Sequence, residues 1–408
     1  MIKFRNNDDV TVRKKSKSRT KRIIAWLHLY PSLVSAVIVI FVCLTGTIIV
    51  YGDEIIDLFN RDAMYVPEVK EERLPLEQLR ETVIKSFPKR FPPSYAVVYK
   101  DPQRSVKFNQ YGIEDGLRFV FVDPYTGEII KDDGTIYFFF ITAHLHNSLM
   151  LGKTGQWIID IASIIFLIGL ITGIALWWPA RWNKANINKS FKIKFKASFK
   201  RLNYDLHNVL GFYSLSIAFV LTVTGLLIAF PPLAGATISL FGGDPEPDIA
   251  QYVPSYPEEQ EFAPMNPAIE STFKDNPDAS TMQILFPRDD KAGYFGLITS
   301  SKVGLKSHDG GNIAFINRYT SQKLYVPRSV ILHEKIENLY WMFHMGTWLG
   351  WFGKLVTFIG GLISTSLPIT GFIIWWGRRK KRSKNRKTET AQGNLQLLSK
   401  EELINELN

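Results

Sequence analysis

Charged and polar positions crowd into some stretches of this chain and vanish from others. Four stretches, roughly 23–51, 157–178, 209–230 and 355–376, are long and nearly free of charge. Each reaches the ~20 apolar residues that cross a hydrocarbon layer of about 30 Å. Lipid offers no water to the backbone, so each must be a helix. The segments between them are patterned differently. "PLEQLRETVIKSF" (75–87) places apolar residues at helical intervals, and strand-like alternation follows in "SYAVVYK", "SVKFNQYG" and "LRFVFVDPYTGEIIKDDG". Asp123-Pro124 opens a turn that Gly127 completes, so the last of these predicts a hairpin. Late in the chain "GNIAFINRYTSQKLYVP" (311–327) holds the same place, with Asn317-Arg318 for Asp-Pro and Ser321 for Gly. A Pro- and acid-rich stretch before it, 242–267, reads as a surface loop or linker.

Charge orients this pattern. The 408 residues carry 49 Lys and Arg against 38 Asp and Glu. The excess sits beside the apolar segments: Lys3 to Arg22 at the start, Arg181 to Arg201 in the middle, "RRKKRSKNRK" from Arg378 at the end. Positive loops stay in the cytoplasm, so both termini and the middle link are expected inside, with 52–145 and 231–343 outside. The expected layout is a basic arm (1–22), span one (23–51), an outer domain (52–145), span two (146–179), a basic link (180–203), span three (204–230), a second outer domain (231–343), span four (344–377) and a basic tail (378–408). Basic runs so placed serve topology and anionic lipid headgroups, and nucleic acid is not an expected partner. Span one is too long for a signal-peptide core and has no small-residue cleavage site, which predicts an uncleaved anchor. The single cysteine, Cys43, excludes an internal disulfide, a CxxCH haem attachment and a thiolate cluster.

The chain also repeats itself. "LHNSLMLGKTGQWIIDIASIIFLIGLITGIALWWP" and "FHMGTWLGWFGKLVTFIGGLISTSLPITGFIIWWG" align from His146 on His344. Gly155 falls on Gly353, Thr172-Gly173 on Thr370-Gly371, and Trp177-Trp178 on Trp375-Trp376. His28 and His207 are likewise followed 17 and 18 residues on by Thr45-Gly46 and Thr224-Gly225. The expected fold class is a membrane α-helical, four-span bundle made of two parallel repeats, each with an extracytoplasmic α+β insert.

"FVDPYTGEII" resembles the signature of the PepSY domain. The histidine-headed spans with Thr-Gly and Trp-Trp marks resemble the PepSY-associated transmembrane family of iron-regulated membrane proteins, over about residues 20 to 380. The resemblance implies PepSY-like inserts, a location in the bacterial inner (cytoplasmic) membrane and a membrane oxidoreductase. Members of that family include reductases that free iron from ferric siderophores using b-type haems, so a ferric siderophore or other iron chelate is the implied substrate. The second insert departs from the PepSY pattern at its turn.

Of seven histidines, four hold matching places: His28 and His207 at the inner side, His146 and His344 at the outer. An interfacial histidine alone is as readily a hydrogen-bonded, inert ring, but anchoring is normally done by Trp and Tyr and gives no reason for one in every span. Haem iron accepts two axial imidazoles from facing helices. Two b-type haems are therefore expected, one between His28 and His207 and one between His146 and His344, with His144 as an alternative to His146. Zinc wants four ligands together, and these pairs lie most of a bilayer apart. Gly46 and Gly225, five helical turns or about 27 Å from His28 and His207 on the same helix faces, are expected to let the macrocycle approach the backbone at the outer pair. Ordinary small-residue helix packing explains them equally well. For spans two and four the glycines around 152–155 and 350–353 suggest a break that loses the helical register. His308 is expected in a surface loop, and neither it nor His333 is given a site role. The paired tryptophans with Arg181 and Arg378 read as an aromatic belt with snorkelling cations.

No nucleotide-binding signature is present, so neither ATP nor a nicotinamide is an expected ligand. A quinol or a cytoplasmic reductase such as a flavoprotein is the expected electron donor. Two other classes stay open here. One is a non-redox PepSY module that binds or regulates an envelope protease. The other is a siderophore transport accessory, disfavoured because no span carries a charged residue at mid-depth.

Overall fold

The computed structural model describes residues 18–257, 259–288 and 292–406. The basic arm from Lys3 to Lys17 lies outside the described residues. Four helices among them are long and apolar enough to cross a membrane, Arg19–Ile49, Gly152–Trp177, Phe199–Ala229 and Thr347–Lys380, so the chain is a membrane α-helical protein. It also carries a β-sheet region at one end.

Helix α1 (Arg19–Ile49) is capped by Ser18, whose Oγ accepts from the Lys21 amide at 3.4 Å. After the short α2 (Gly52–Phe59), Pro75 precedes α3 (Leu76–Ser86), which buries Leu76, Leu79 and Val83 at helical spacing. Strands β1 (Tyr95–Tyr99), β2 (Val106–Gly112), β3 (Gly116–Val122) and β4 (Ile129–Asp133) then form an antiparallel meander. The β3–β4 turn is built as the sequence implies. Asp123 Oδ1 accepts from the Tyr125 and Thr126 amides at 2.8 and 3.2 Å, and Gly127 takes φ +75°. Helix α4 (Thr135–Ser148) leads back to the bundle and α5 (Gly152–Trp177) runs through it.

Helices α6 (Lys184–Phe191) and α7 (Phe199–Asp205) link to α8 (Gly211–Ala229) through a π-helical turn, Leu206–Leu210. Next come α9 (Pro231–Leu240), α10 (Asn266–Asp275), β5 (Thr281–Leu285) and β6 (Tyr294–Ser300). A small hairpin of β7 (Lys302–Val303) and β8 (His308–Asp309) intervenes before β9 (Asn312–Asn317). The turn after β9 repeats that after β3: Asn317 Oδ1 accepts from the Tyr319 amide at 2.8 Å, and Ser321 takes φ +54° where Gly127 stood. The return strand expected after it is reduced to one bridge, Ile316 to Lys323. Helix α11 (Arg328–Met345) and α12 (Gly350–Glu406) complete the chain.

The two inserted segments are not separate sheets. They form one seven-stranded sheet, β4-β3-β2-β1-β5-β6-β9, joined by antiparallel pairing of β1 with β5 about Val97 and Gln283. One face packs on α3 and α10 through a core that includes Phe108, Phe295, Met282 and Leu297. These helices cap each other: Asn266 Oδ1 accepts from the Leu76 amide at 3.1 Å and Glu77 Oε1 from the Met265 amide at 2.5 Å. Phe119 and Phe121 on the other face pack with Ile56, Ile136 and Phe139 of α2 and α4.

In the bundle α1 and α8 each pack against both α5 and α12, so α1 and α8 stand diagonally across it. The break expected before spans two and four is present. Gly155 and Gly353 lie so close to the preceding helix ends that an added Cβ would meet the carbonyl oxygens of Ser148 and Gly346 at 1.7 and 2.3 Å. His146 and His344 consequently sit in the last turns of α4 and α11 rather than at the heads of α5 and α12, where 146–179 and 344–377 had placed them. Two charged side chains are buried toward the sheet end of the bundle, Asp160 in α5 and Lys354 in α12, which the apolar pattern of the spans had hidden.

Candidate functional site

Four histidines meet in two pairs across the bundle. The rings of His28 (α1) and His207 (the π turn before α8) lie with centroids 6.3 Å apart at 73°. Those of His146 and His344 lie 6.1 Å apart at 54°. His144 is turned away: its Nδ1 bonds the Phe140 carbonyl at 2.9 Å and its ring packs on Phe140 with centroids 4.2 Å apart. Of the two candidates, His146 is the one that faces His344.

Each ring is held in the same way. Nδ1 of His28 contacts the Gly169 carbonyl at 3.0 Å and Thr172 Oγ1 at 3.2 Å. His146 meets the Val42 carbonyl at 2.9 Å and Thr45 Oγ1 at 3.3 Å. For His207 the partners are Leu367 O at 3.1 Å and Thr370 Oγ1 at 3.0 Å. For His344 they are Leu221 O and Thr224 Oγ1, both at 3.1 Å. A carbonyl only accepts, so Nδ1 must carry the hydrogen. The threonine hydroxyls are already donating to their own helices, to the carbonyls of Ile168, Phe41, Ser366 and Val220, and they too accept from Nδ1. The tautomer is thereby fixed with the lone pair on Nε2. None of these four Nε2 atoms has a hydrogen-bond partner in the protein among the described residues.

The glycine after each threonine supplies room for the ring. A Cβ on Gly46 would meet His146 Cε1 at 2.8 Å, on Gly225 His344 Cε1 at 3.1 Å, on Gly173 His28 Cε1 at 3.3 Å and on Gly371 His207 Cε1 at 3.2 Å. This places an imidazole in the space that the missing side chains of Gly46 and Gly225 leave. It also identifies Gly173 and Gly371 as their counterparts at the other pair, which the lost register had concealed. The four repeated pairs Thr45-Gly46, Thr172-Gly173, Thr224-Gly225 and Thr370-Gly371 are each a seat for a histidine from a neighbouring helix.

Local distortions aim the rings. His207 lies inside the π turn, a rare element that concentrates at functional positions. Pro31, three residues beyond His28, removes a backbone donor from α1 at the matching place.

The residues fit an iron porphyrin. Two metal–imidazole bonds of about 2 Å, plus about 1 Å from nitrogen to ring centre on each side, place ring centroids about 6 Å apart. The two pairs are spaced accordingly. A tetrahedral metal set is not assembled: no group of three or more His, Cys, Asp or Glu side chains is close enough to share an ion among the described residues.

The other two histidines lie elsewhere. His308 is not in a surface loop. It is half-buried in β8, bonded through Nε2 to Gln283 and through its amide to Asn338 Oδ1 at 2.9 Å, and burial pushes its imidazole down to about 4. His333 pairs with Glu337 at 3.5 Å and with the Asp244 carbonyl at 2.7 Å. The tryptophans at the basic end are more than a lipid belt. Trp177 stacks on Phe212 at 3.9 Å and donates to the Ser190 carbonyl at 3.3 Å, tying α6 to the bundle, while Arg379 and Lys380 lie over Trp375 and Trp376.

A comparison with curated proteins finds no match. The family model for the PepSY-associated TM region matches residues 25–378. That match takes in all four spans, both histidine pairs and the sheet, and the chain belongs to this family.

Proposed function

We propose that the protein is a transmembrane oxidoreductase that holds two b-type haems and reduces a ferric chelate for iron acquisition. One observation carries this: two opposed histidine pairs, each with both Nδ1 atoms committed to a carbonyl and a threonine and both Nε2 atoms left for a metal. Hydrogen bonds of this kind, made by the far ring nitrogen, orient an axial ligand and raise its basicity. Bound between the paired imidazoles, iron porphyrin supplies one-electron redox chemistry.

The chain's own part is to hold and space the two sites. His28 on α1 lies 18 residues, about 27 Å, from Gly46, the seat of the other pair's His146. One rigid helix therefore fixes the separation. The favoured orientation puts the basic end in the cytoplasm and the sheet outside a bacterial inner membrane. The two halves are proposed as parallel repeats whose PepSY-like inserts have fused through β1 and β5. The net reaction takes electrons from a quinol or a cytoplasmic flavoprotein and delivers one to each Fe(III) outside. Fe(II) binds hard oxygen donors less tightly, so the chelate releases it.

The test is a reduced-minus-oxidised spectrum of protein purified from haem-replete cells. Sharp α and Soret bands of low-spin b-type haem are expected, reoxidised on adding a ferric chelate. A preparation without a Soret band would favour a non-redox PepSY module instead.

A further inference from the structure

A cavity of about 200 Å³ opens where the β7–β8 hairpin, α11 and the underside of the sheet meet. Its polar lining includes Lys306, His308, Glu334, Lys335, Glu337 and Trp341, over an apolar floor of Ile298 and Ile313. Trp341 also stands against the outer histidine pair, its ring edge-on to His344 with centroids 6.4 Å apart. The cavity is thus one aromatic side chain away from a proposed axial ligand.

A second, smaller cavity of about 20 Å³ lies beside Ile56, Phe119 and Leu305. In the sequence repeat, Glu334 and Glu337 of α11 fall 198 residues after Ile136 and Phe139 of α4. Both of those are 3% exposed, packed with Ile56, Phe119 and Phe121, and Leu305 from the hairpin closes over them. At these two positions one half carries buried apolar side chains and the other carries carboxylates beside the larger opening.

The two lysines of the larger cavity face one carboxylate, Glu334, that has no hydrogen-bonded partner beside it among the described residues, since Glu337 is engaged by His333. His333 lies 3.5 Å from Glu337, and the hydrogen bond between them raises the imidazole and holds the carboxyl below its ordinary value. Burial, with the Glu337 charge beside it, raises the Glu334 carboxyl above its ordinary value. His308 is held neutral by its burial. Lys306 and Lys335 are both exposed and have no ion-pair partner among the described residues; the Lys306 ammonium lies 5.7 Å over the Trp341 ring. Two cations are left facing the opening.

We propose that this cavity binds a compact, anionic iron(III) chelate of the hydroxycarboxylate type, with Lys306 and Lys335 meeting its negative charge and Trp341 packing against it. This deepens, and rests on, the reading that a ferric chelate is the substrate. The volume lies below the roughly 300–1,000 Å³ of sites that enclose drug-sized ligands, which favours a small chelate over a large macrocyclic one. Two lysine charges favour an anion over the cationic trihydroxamates.

The test uses gallium(III) citrate, a redox-inert stand-in for ferric citrate, titrated into the full-length protein in detergent by calorimetry and by quenching of tryptophan fluorescence. Haem content is measured separately on the same samples. Binding is expected to be salt-sensitive, weaker by about tenfold in the double variant Lys306→Gln/Lys335→Gln, and preserved in Lys306→Arg/Lys335→Arg. Both lysines are exposed, so neither pair of changes removes packing. Trp341→Phe is expected to lose most of the quenching. Equal affinity for a cationic gallium trihydroxamate, or unaltered citrate binding in the glutamine variant, would overturn the proposal. A haem-free protein that still binds gallium citrate in the lysine-dependent way would support the cavity and defeat the reductase.

Discussion

Thr172 and His28 meet across the contact between α5 and α1, hydroxyl oxygen to Nδ1 at 3.2 Å, and three other Thr–His pairs repeat the arrangement. The hydroxyl is doubly engaged, donating to Ile168 at 2.7 Å while accepting from the ring. Replacing Thr172 by Val removes one acceptor and leaves the Gly169 carbonyl. Changes to such outer partners typically cost 10–100-fold in metal affinity. We expect Thr172→Val to keep its haem at saturation but lose it about tenfold faster to a haem-scavenging protein, with the outer site unaffected.

The glycine seats are graded. Gly46 leaves the least room, 2.8 Å from an added Cβ to His146 Cε1, and Gly173 the most, 3.3 Å to His28 Cε1. Gly46→Leu is expected to displace His146 and abolish low-spin haem at the sheet-side site. Gly173→Ala should do no more than shift the spectrum of the other. Electron paramagnetic resonance of the two ferric centres distinguishes the outcomes.

Lys354 joins the sheet end of α12 to the first turn of α2. Only 5% exposed, its ammonium lies 3.2 Å from Asp53 and 2.8 Å from Glu54, and Glu54 is also bound by Lys302 of the hairpin. Burial pushes the Glu54 carboxyl up, but the bonds and charge of Lys354 outweigh it and hold it low. Breaking one partner of a buried pair costs about 3–5 kcal/mol because the other is left uncompensated. Lys354→Met should therefore destabilise the protein by about 3 kcal/mol, and adding Asp53→Asn with Glu54→Gln should recover most of it. Thermal unfolding in detergent measures both.

A pH effect is expected in the sheet. Asp132 takes two bonds from Arg90, at 2.9 and 2.7 Å, and more from Arg118. Burial alone pushes Asp132 up, but these bonds outweigh it and hold the carboxyl below its ordinary value. A depressed carboxyl contributes stability that is present above its unfolded pKa and lost as the pH falls through the folded one. That window lies below about pH 4. Hydrogen exchange of β3 and β4 should accelerate there, and Asp132→Asn should remove the pH dependence while weakening the sheet at neutral pH.

The sequence made the spans legible because lipid imposes long apolar runs, and the β3–β4 turn legible because Asp123 and Gly127 act through local bonds. The histidine pairs were legible only through the repeat. The union of the inserts was hidden, because the β1–β5 pairing joins residues far apart through backbone groups that carry no side-chain signature. The hairpin around His308 was hidden for a related reason: short, Gly-rich and polar, it reads as a loop until Gln283 and Asn338 are brought to it. The neighbour of Gly46, His146, was hidden because helical phase tells which face a glycine lies on, and not which neighbouring side chain fills the space.

The most direct measurement is haem stoichiometry by pyridine haemochrome on the wild-type chain, His28→Ala and His344→Ala, each with protein quantified. About two b-type haems per wild-type chain and one in each variant are expected. A colourless wild-type protein from haem-replete cells, or variants that keep the full complement, would contradict axial ligation by these histidines.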